Sequence, residues 1–326
     1  MSEKELIRHK LHIGHLSTFY HTAFILMGTS WLADAGVDAE WKLFPSGPDI
    51  TKAMAAGEVD LAYIGLPPAM AAIARGLPAR CIAGGHVEGT VLVARGKYRG
   101  IDELGDEKAV LEQFAGEVVG CPPAGSIHDI IIRDLLQRYP GLNLAVHNFA
   151  WADFALAALT DGEIEAAIGT PALAVGARRF AGGKIVIPPC RLWPDNPSYG
   201  IVATKNAMED AESIRSFLRA HERASAMIRG HPQEAARIVA QVTGIVDGQY
   251  VLDCYRVSPK YCAALSPAFV ASTMRFVPVL HALGYLPKPL TEGEIFDRRF
   301  IAAVHPEPPH YDLPASEHLR PMSEHG

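Results

Sequence analysis

The sequence predicts two α/β lobes that face a shared cleft, and three observations lead there. The first is the run Phe44-Pro45-Ser46-Gly47-Pro48 followed by Ala53 through Gly65, which reads as a strand end, a tight turn, a short amphipathic helix, a glycine stop and a buried strand closing on glycine. The second is a near-copy of that pattern at Ala157 through Pro171, again a helix, a glycine, an acid-apolar-acid step and an apolar strand ending in Gly169-Thr170-Pro171. The third is length: 326 residues are too many for one small core and fit two lobes.

The elements follow in order, with strands and helices alternating as in a parallel or mixed sheet covered by helices. Leu11–Ile13 is a strand, Tyr20–Ala35 a helix closed by Gly36, Glu40–Leu43 a strand, Pro48–Ala56 a helix and Leu61–Ile64 a strand. Pro67–Arg75 is helical, with Gly76 as its stop and Pro78 beyond it. Ala79–Gly84 and Thr90–Ala94 complete the opening half of the first lobe, and Arg95-Gly96 passes to the second. There Glu117–Gly120, Asn143–Asn148, Ala166–Ile168 and Lys184–Ile187 are strands, with helices at Ser126–Tyr139, Phe154–Thr160 and Pro171–Phe180. Pro188 to Asn196 forms the return crossing, Tyr199–Thr204 a last strand, and helices fill 208–230, 232–243, 247–256 and 267–283. The first lobe is thus 10–95 plus 196–300, the second 96–195, and 301–326 reads as a surface tail rich in Pro, His and Glu. If the lobes close on one another, Gly96 and the Pro188–Asn196 segment absorb the rotation.

Composition narrows the function classes. Hydrophobic residues at 49% and charged ones at 20% describe an ordinary globular chain. A net charge of −6 argues against nucleic acid, and no apolar run reaches the length of a bilayer span. Cys81, Cys121, Cys190, Cys254 and Cys262 are odd in number and form no CxxC pair, so they read as reduced and mostly buried thiols. No ligands are spaced for zinc, no P-loop or dinucleotide fingerprint occurs, and no cofactor is expected. The charged stretch Met1 to Lys10 lacks the apolar region of an export signal. The chain therefore reads as cytoplasmic if Met1 is its native start, and as extracytoplasmic if a signal was removed.

Several segments carry a family resemblance: the run Phe44 to Pro67, Gly125-Ser126-Ile127-His128-Asp129 opening a helix, and Trp151-Ala152-Asp153 ahead of the second Gly-Glu-Ile-Glu-Ala copy. Over residues 10 to 300 the chain resembles the nitrate/sulfonate/taurine-type substrate-binding proteins of ABC importers, whose superfamily includes thiamin-pyrimidine-binding proteins. The resemblance implies a type II periplasmic-binding-protein fold, a ligand between the lobes and a transporter permease as partner. Thr18-Phe19-Tyr20-His21 is also similar to the Thr-x-Tyr-His of eukaryotic thiamin-pyrimidine synthases, which implies an alternative, a cytosolic enzyme or sensor. Against a synthase, the position of their pyridoxal-binding lysine falls at Ile64, and their Cys-rich run is replaced by Asp195-Asn196-Pro197-Ser198-Tyr199-Gly200.

The residues point to the same cleft on physical grounds. In open α/β sheets ligands sit beyond the carboxyl ends of strands, where the amides of the following helix are unpaired. Four such junctions occur: His15 to His21, Ser46-Gly47, Gly65-Leu66-Pro67, and Pro123 to His128 from the other lobe. Candidate ligand contacts are Ser17, Thr18, Ser46, Ser126, Thr170 and Ser198 for a polar or anionic head, Tyr20, His21, Trp151 and Tyr199 for a flat ring, and Gly47, Gly65, Pro67, Gly125 and His128 at the same junctions. Each has a structural rival: Ser17, Thr18 and Ser126 as helix caps, Gly65 and Gly169 as turn residues, Trp151 as core, His128 as a satisfied histidine. None of the four junctions contains Lys or Arg, so neutral donors rather than an ion pair are expected to hold the ligand. Cys121 has no placed base, and Ser126 and His128 at i, i+2 point to different helix faces; no catalytic constellation is expected.

Overall fold

The computed structural model describes residues 10–312. The charged start at 1–9 and the last part of the tail, 313–326, lie outside the described residues. Strands β1 (Lys10–His15), β2 (Asp38–Leu43), β3 (Leu61–Ile64) and β4 (Ala79–Val87) open the chain. They are followed by β5 (Val91–Arg95), β6 (Val118–Cys121), β7 (Ala145–Asn148), β8 (Ala166–Gly169), β9 (Gly183–Ile187) and β10 (Pro197–Thr204). They form two five-stranded sheets, ordered β2-β1-β3-β10-β4 and β7-β6-β8-β5-β9. The two sheets repeat one plan: three parallel strands, then a returning strand that runs antiparallel and joins a fifth.

The plan follows from the strands' residues. Leu61-Ala62-Tyr63-Ile64 and Ala166-Ala167-Ile168-Gly169 are buried throughout, as central strands covered on both faces must be. β2, at the edge of its sheet, is half exposed and carries Glu40 and Lys42 among its apolar residues. Helices Gly47–Ala55, Leu66–Ala74, Ile127–Arg138, Ala152–Asp161 and Pro171–Phe180 each follow a strand end. One apolar core runs from the first sheet through the lobe contact to Ile130, Ile131 and Ile132 of the second lobe.

Three expectations are corrected. The strand at 91–95 pairs with β8 and β9 of the second sheet, so the first crossing is Glu88-Gly89-Thr90 rather than Arg95-Gly96. Gly96 therefore stands at the outer end of the second sheet, away from the passage between lobes. The single helix expected over Tyr20–Ala35 is two short ones, Ala23–Met27 and Trp31–Asp34. Gly28 separates them where helix Pro232–Thr243 presses close: a Cβ on Gly28 would stand 2.5 Å from Ile238. Third, the chain after 300 is not a loose surface tail as far as it is described. Helix Arg299–Val304 packs against the body, and His305 and Tyr311 are both buried.

Both crossings are fastened rather than slack. Glu88 donates its backbone N–H to the carbonyl of Asn196 at 2.9 Å and accepts from the Asp195 N–H at 3.2 Å. Lys260 then pairs with Glu88 at 3.0 Å. Glu88 and Asp195, at φ 61° and 56°, are the two non-glycine residues in the left-handed region among those described, one in each crossing. The short helix Pro189–Leu192 occupies the expected hinge, and Trp193 stacks on Phe276 with ring centroids 4.0 Å apart.

Candidate functional site

The cleft between the sheets is open to solvent and spans about 730 Å³ of atom-free space, open solvent included. Eleven of the fifteen candidates line it: Ser17, Thr18, Tyr20, His21, Ser46, Gly47, Gly65, Ser126, His128, Thr170 and Ser198. The other four are not among the residues that line it. Pro67 is buried in the first turn of its helix, and Trp151 is the residue that starts helix Ala152–Asp161. Tyr199 is fully buried, its ring 4.0 Å from that of His21. Gly125 acts through its backbone, at φ 79°, donating its N–H to Asp129 Oδ2 at 2.9 Å. That buried carboxylate also takes Arg133 Nε at 2.8 Å and Asn148 Nδ2 at 2.9 Å, which freezes the loop ahead of Ser126.

Helix starts dominate the site. Ser46, Gly65, Ser126 and Thr170 are the cap residues of four helices, and all four line the cleft. A fifth helix contributes Ala152 and Asp153 from its first turn. The unpaired amides and positive dipole ends of these first turns suit a hydrogen-bond acceptor or an anion. Capping and lining are therefore not rival readings here. Ser126 accepts from the Asp129 N–H and Thr170 from the Leu173 N–H, both at 3.3 Å. Each keeps a hydroxyl proton to donate. Ser46 is more committed, accepting from the Asp49 N–H at 3.2 Å and donating to its carboxylate at 2.5 Å.

The opposite wall is aromatic. Tyr20 shares a 2.9 Å hydrogen bond with Ser198, and the rings of Tyr20 and His21 meet edge to face at 4.9 Å. Behind them a chain of hydrogen bonds fixes its own proton directions. The Nε2–H of His221 donates to the Gly84 carbonyl at 2.9 Å, which leaves Nδ1 to accept from the Thr22 hydroxyl at 2.9 Å. The Thr22 hydroxyl oxygen in turn accepts from Tyr199 at 3.2 Å. Burial holds His21 well below the usual imidazole range and brings His128 down to about 4, so both are neutral at pH 7. His21 Nδ1 is buried without a hydrogen-bond partner among the described residues. Such an orphan costs about 1–3 kcal/mol.

Sequence reasoning missed Asp153, which lines the cleft and accepts from Ser17 across it at 3.3 Å. Burial raises its carboxyl above the ordinary range, against the Ser17 hydrogen bond that lowers it. Its place two residues after Trp151, in a helix's first turn, was the available signal. Among the described residues, no Lys or Arg lines the cleft. Cys121 is buried, and burial with the Asp129 charge pushes its thiol far up, which suits packing rather than attack.

In sequence, residues 6–244 match the NMT1-like family, well over half of the chain. The chain belongs to the NMT1-like family. No curated protein matches it in sequence. Among solved structures it is similar to the alkanesulfonate-binding protein SsuA from Xanthomonas axonopodis pv. citri, at 15% identity and TM-score 0.71, covering 88% of this chain and 98% of that one. The aliphatic sulphonate-binding protein SsuA from Escherichia coli gives 15% identity and TM-score 0.72 over 89% and 92% of the two chains. The nitrate-binding protein NrtA from Synechocystis PCC 6803 gives 15% identity and TM-score 0.74 over 97% and 92%. At this identity the likeness establishes the architecture: this NMT1-like chain has the two-lobed periplasmic-binding-protein fold that its sequence leads one to expect.

Proposed function

We propose that this protein is a solute-binding protein that holds a small organic ligand between its lobes for ABC-type import. The observation that carries the reading is the convergence of five helix starts from both lobes on one cleft. Such an arrangement binds a polar acceptor group without a matching charged side chain. The fold shared with sulfonate- and nitrate-binding proteins supports it. The head of the ligand is an anionic or polar acceptor facing Ser126, Thr170 and the first-turn amides, and its body is flat or apolar, against Tyr20 and His21. The eleven other candidates and Asp153 then shape the cleft rather than perform chemistry.

Mass spectrometry of the molecule released on denaturing the purified protein tests this. The expected product is an organic molecule carrying one acceptor group. Recovery of a bare inorganic oxyanion would overturn the ligand class, and turnover of the recovered molecule by the intact protein would overturn the non-catalytic reading.

A further inference from the structure

We propose that Glu222, Cys262, His305 and His310 form a structural site for a zinc-type divalent cation, outside the cleft. Their four donor atoms lie within 4.8 Å of one another, and none of the four residues lines the cleft. Cys262 Sγ is 3.3 Å from His305 Nε2 and 3.7 Å from His310 Nδ1, and the two ring nitrogens are 3.1 Å apart. Glu222 Oε1 lies 3.9 Å from His305 Nε2 and 3.6 Å from His310 Nδ1. Zinc bonded to nitrogen and oxygen near 2.0–2.1 Å and to sulfur near 2.3 Å sets tetrahedral edges of about 3.3–3.6 Å. These five edges bracket those values, and the sixth, between Cys262 and Glu222, is at most 4.8 Å, so a cation fits once that pair closes by up to about an ångström.

The surroundings favour coordination over a bare hydrogen-bond cluster. His305 Nδ1 lies 3.1 Å from the Glu307 carbonyl, an acceptor, so Nδ1 carries the proton and Nε2 turns its lone pair to the centre. Cys262 Sγ accepts two backbone N–H groups, from His310 at 3.3 Å and from Ala264 at 3.4 Å. A thiol sulfur is a weak acceptor, whereas a metal-bound thiolate holds such donors well. Glu222 is oriented by the Ala263 N–H on Oε2 at 2.7 Å and by Arg229 on Oε1 at 2.7 Å, where a second lone pair remains. On binding, the Cys262 thiol proton leaves to solvent and the sulfur–metal bond replaces it.

Four protein ligands fill a tetrahedron and leave no open position, so the cation is structural rather than catalytic. What it fastens is visible in the fold. It ties the segment His305 to Tyr311 onto helix Ala211–Gly230 and onto the stretch at Cys262. Tyr311 of that segment donates to the Cys262 carbonyl at 2.6 Å and reaches β4 beside Gly84. No local spacing in the sequence announces the site, because Glu222 is 40 residues from Cys262 and His305 is 43 residues beyond it.

The test uses the full chain stripped with chelator and titrated with Zn2+ or Co2+ alone. The expected result is one equivalent bound, a tetrahedral cobalt spectrum with a thiolate charge-transfer band, and a higher melting temperature with Zn2+. Cys262→Ser removes the charge-transfer band. Should that variant fail to fold, His310→Gln, at a partly exposed position, is expected to weaken Co2+ binding at least tenfold and to abolish the Zn2+ stabilisation. An octahedral cobalt spectrum without the thiolate band, or an unchanged melting temperature with Zn2+, overturns the proposal.

Discussion

Asp153 decides how much negative charge the cleft tolerates, because among the described residues it is the carboxylate that lines the cleft and no lining Lys or Arg offsets it. If the ligand presents an anionic head, Asp153→Asn removes a like charge, and titration calorimetry should show binding several-fold tighter. Weaker binding in that variant would mean that the ligand donates to Asp153 instead. The buried histidines set a second residue-scale expectation. Burial lowers His86 to about 3 and His128 to about 4, and also lowers His21 and His221. In the unfolded chain each titrates near 6.5. The unfolded state therefore binds more protons in acid, so this stability is complete above about pH 6.5 and is lost as pH falls towards 4. His128 alone accounts for about 3 kcal/mol over that window. Urea melts at pH 7.5 and 5 check it, and equal stability at both would contradict the buried neutral state.

Among the elements, the crossings carry the most specific forecasts. Lys260 pairs with the buried Glu88, so Lys260→Met strands a carboxylate and should cost about 2 kcal/mol in chemical denaturation. A Cβ on Gly89 would fall 1.9 Å from Ser198 Oγ and 3.1 Å from Tyr20 Oη. Gly89→Ala should therefore destabilise by about 1–3 kcal/mol and weaken ligand binding together, by displacing the Tyr20–Ser198 pair. A neutral Gly89→Ala would show that the crossing yields freely. These elements also mark where the sequence was legible. The strand–helix alternation and the helix starts were readable because caps and glycine stops are local signals. The partner of β5 was not, since an apolar strand such as Val91-Leu92-Val93-Ala94 carries no mark of which sheet receives it. The broken helix after Tyr20 depended on Ile238, more than two hundred residues away in the chain.

At the scale of the molecule, the two lobes already touch across the cleft. Ser17 reaches Asp153, and a Cβ on Gly65 would meet Ile127 at 3.3 Å. That contact explains why the site was only partly readable: the junctions on each lobe are local patterns, but Asp153 gains its place from the way the lobes meet. The buried position of Tyr199 likewise depends on packing depth, which residue type alone does not set. A ligand that bridges the lobes should stabilise the whole chain by mass action, by about 2.7 kcal/mol at a hundredfold excess over its dissociation constant. The most direct test of the account is calorimetric titration of the released ligand into the intact protein and into Ala172→Trp, whose indole would fill the cleft from a partly exposed position. The native protein is expected to bind one ligand per chain, and the folded variant to lose binding. Undiminished binding to folded Ala172→Trp would contradict it.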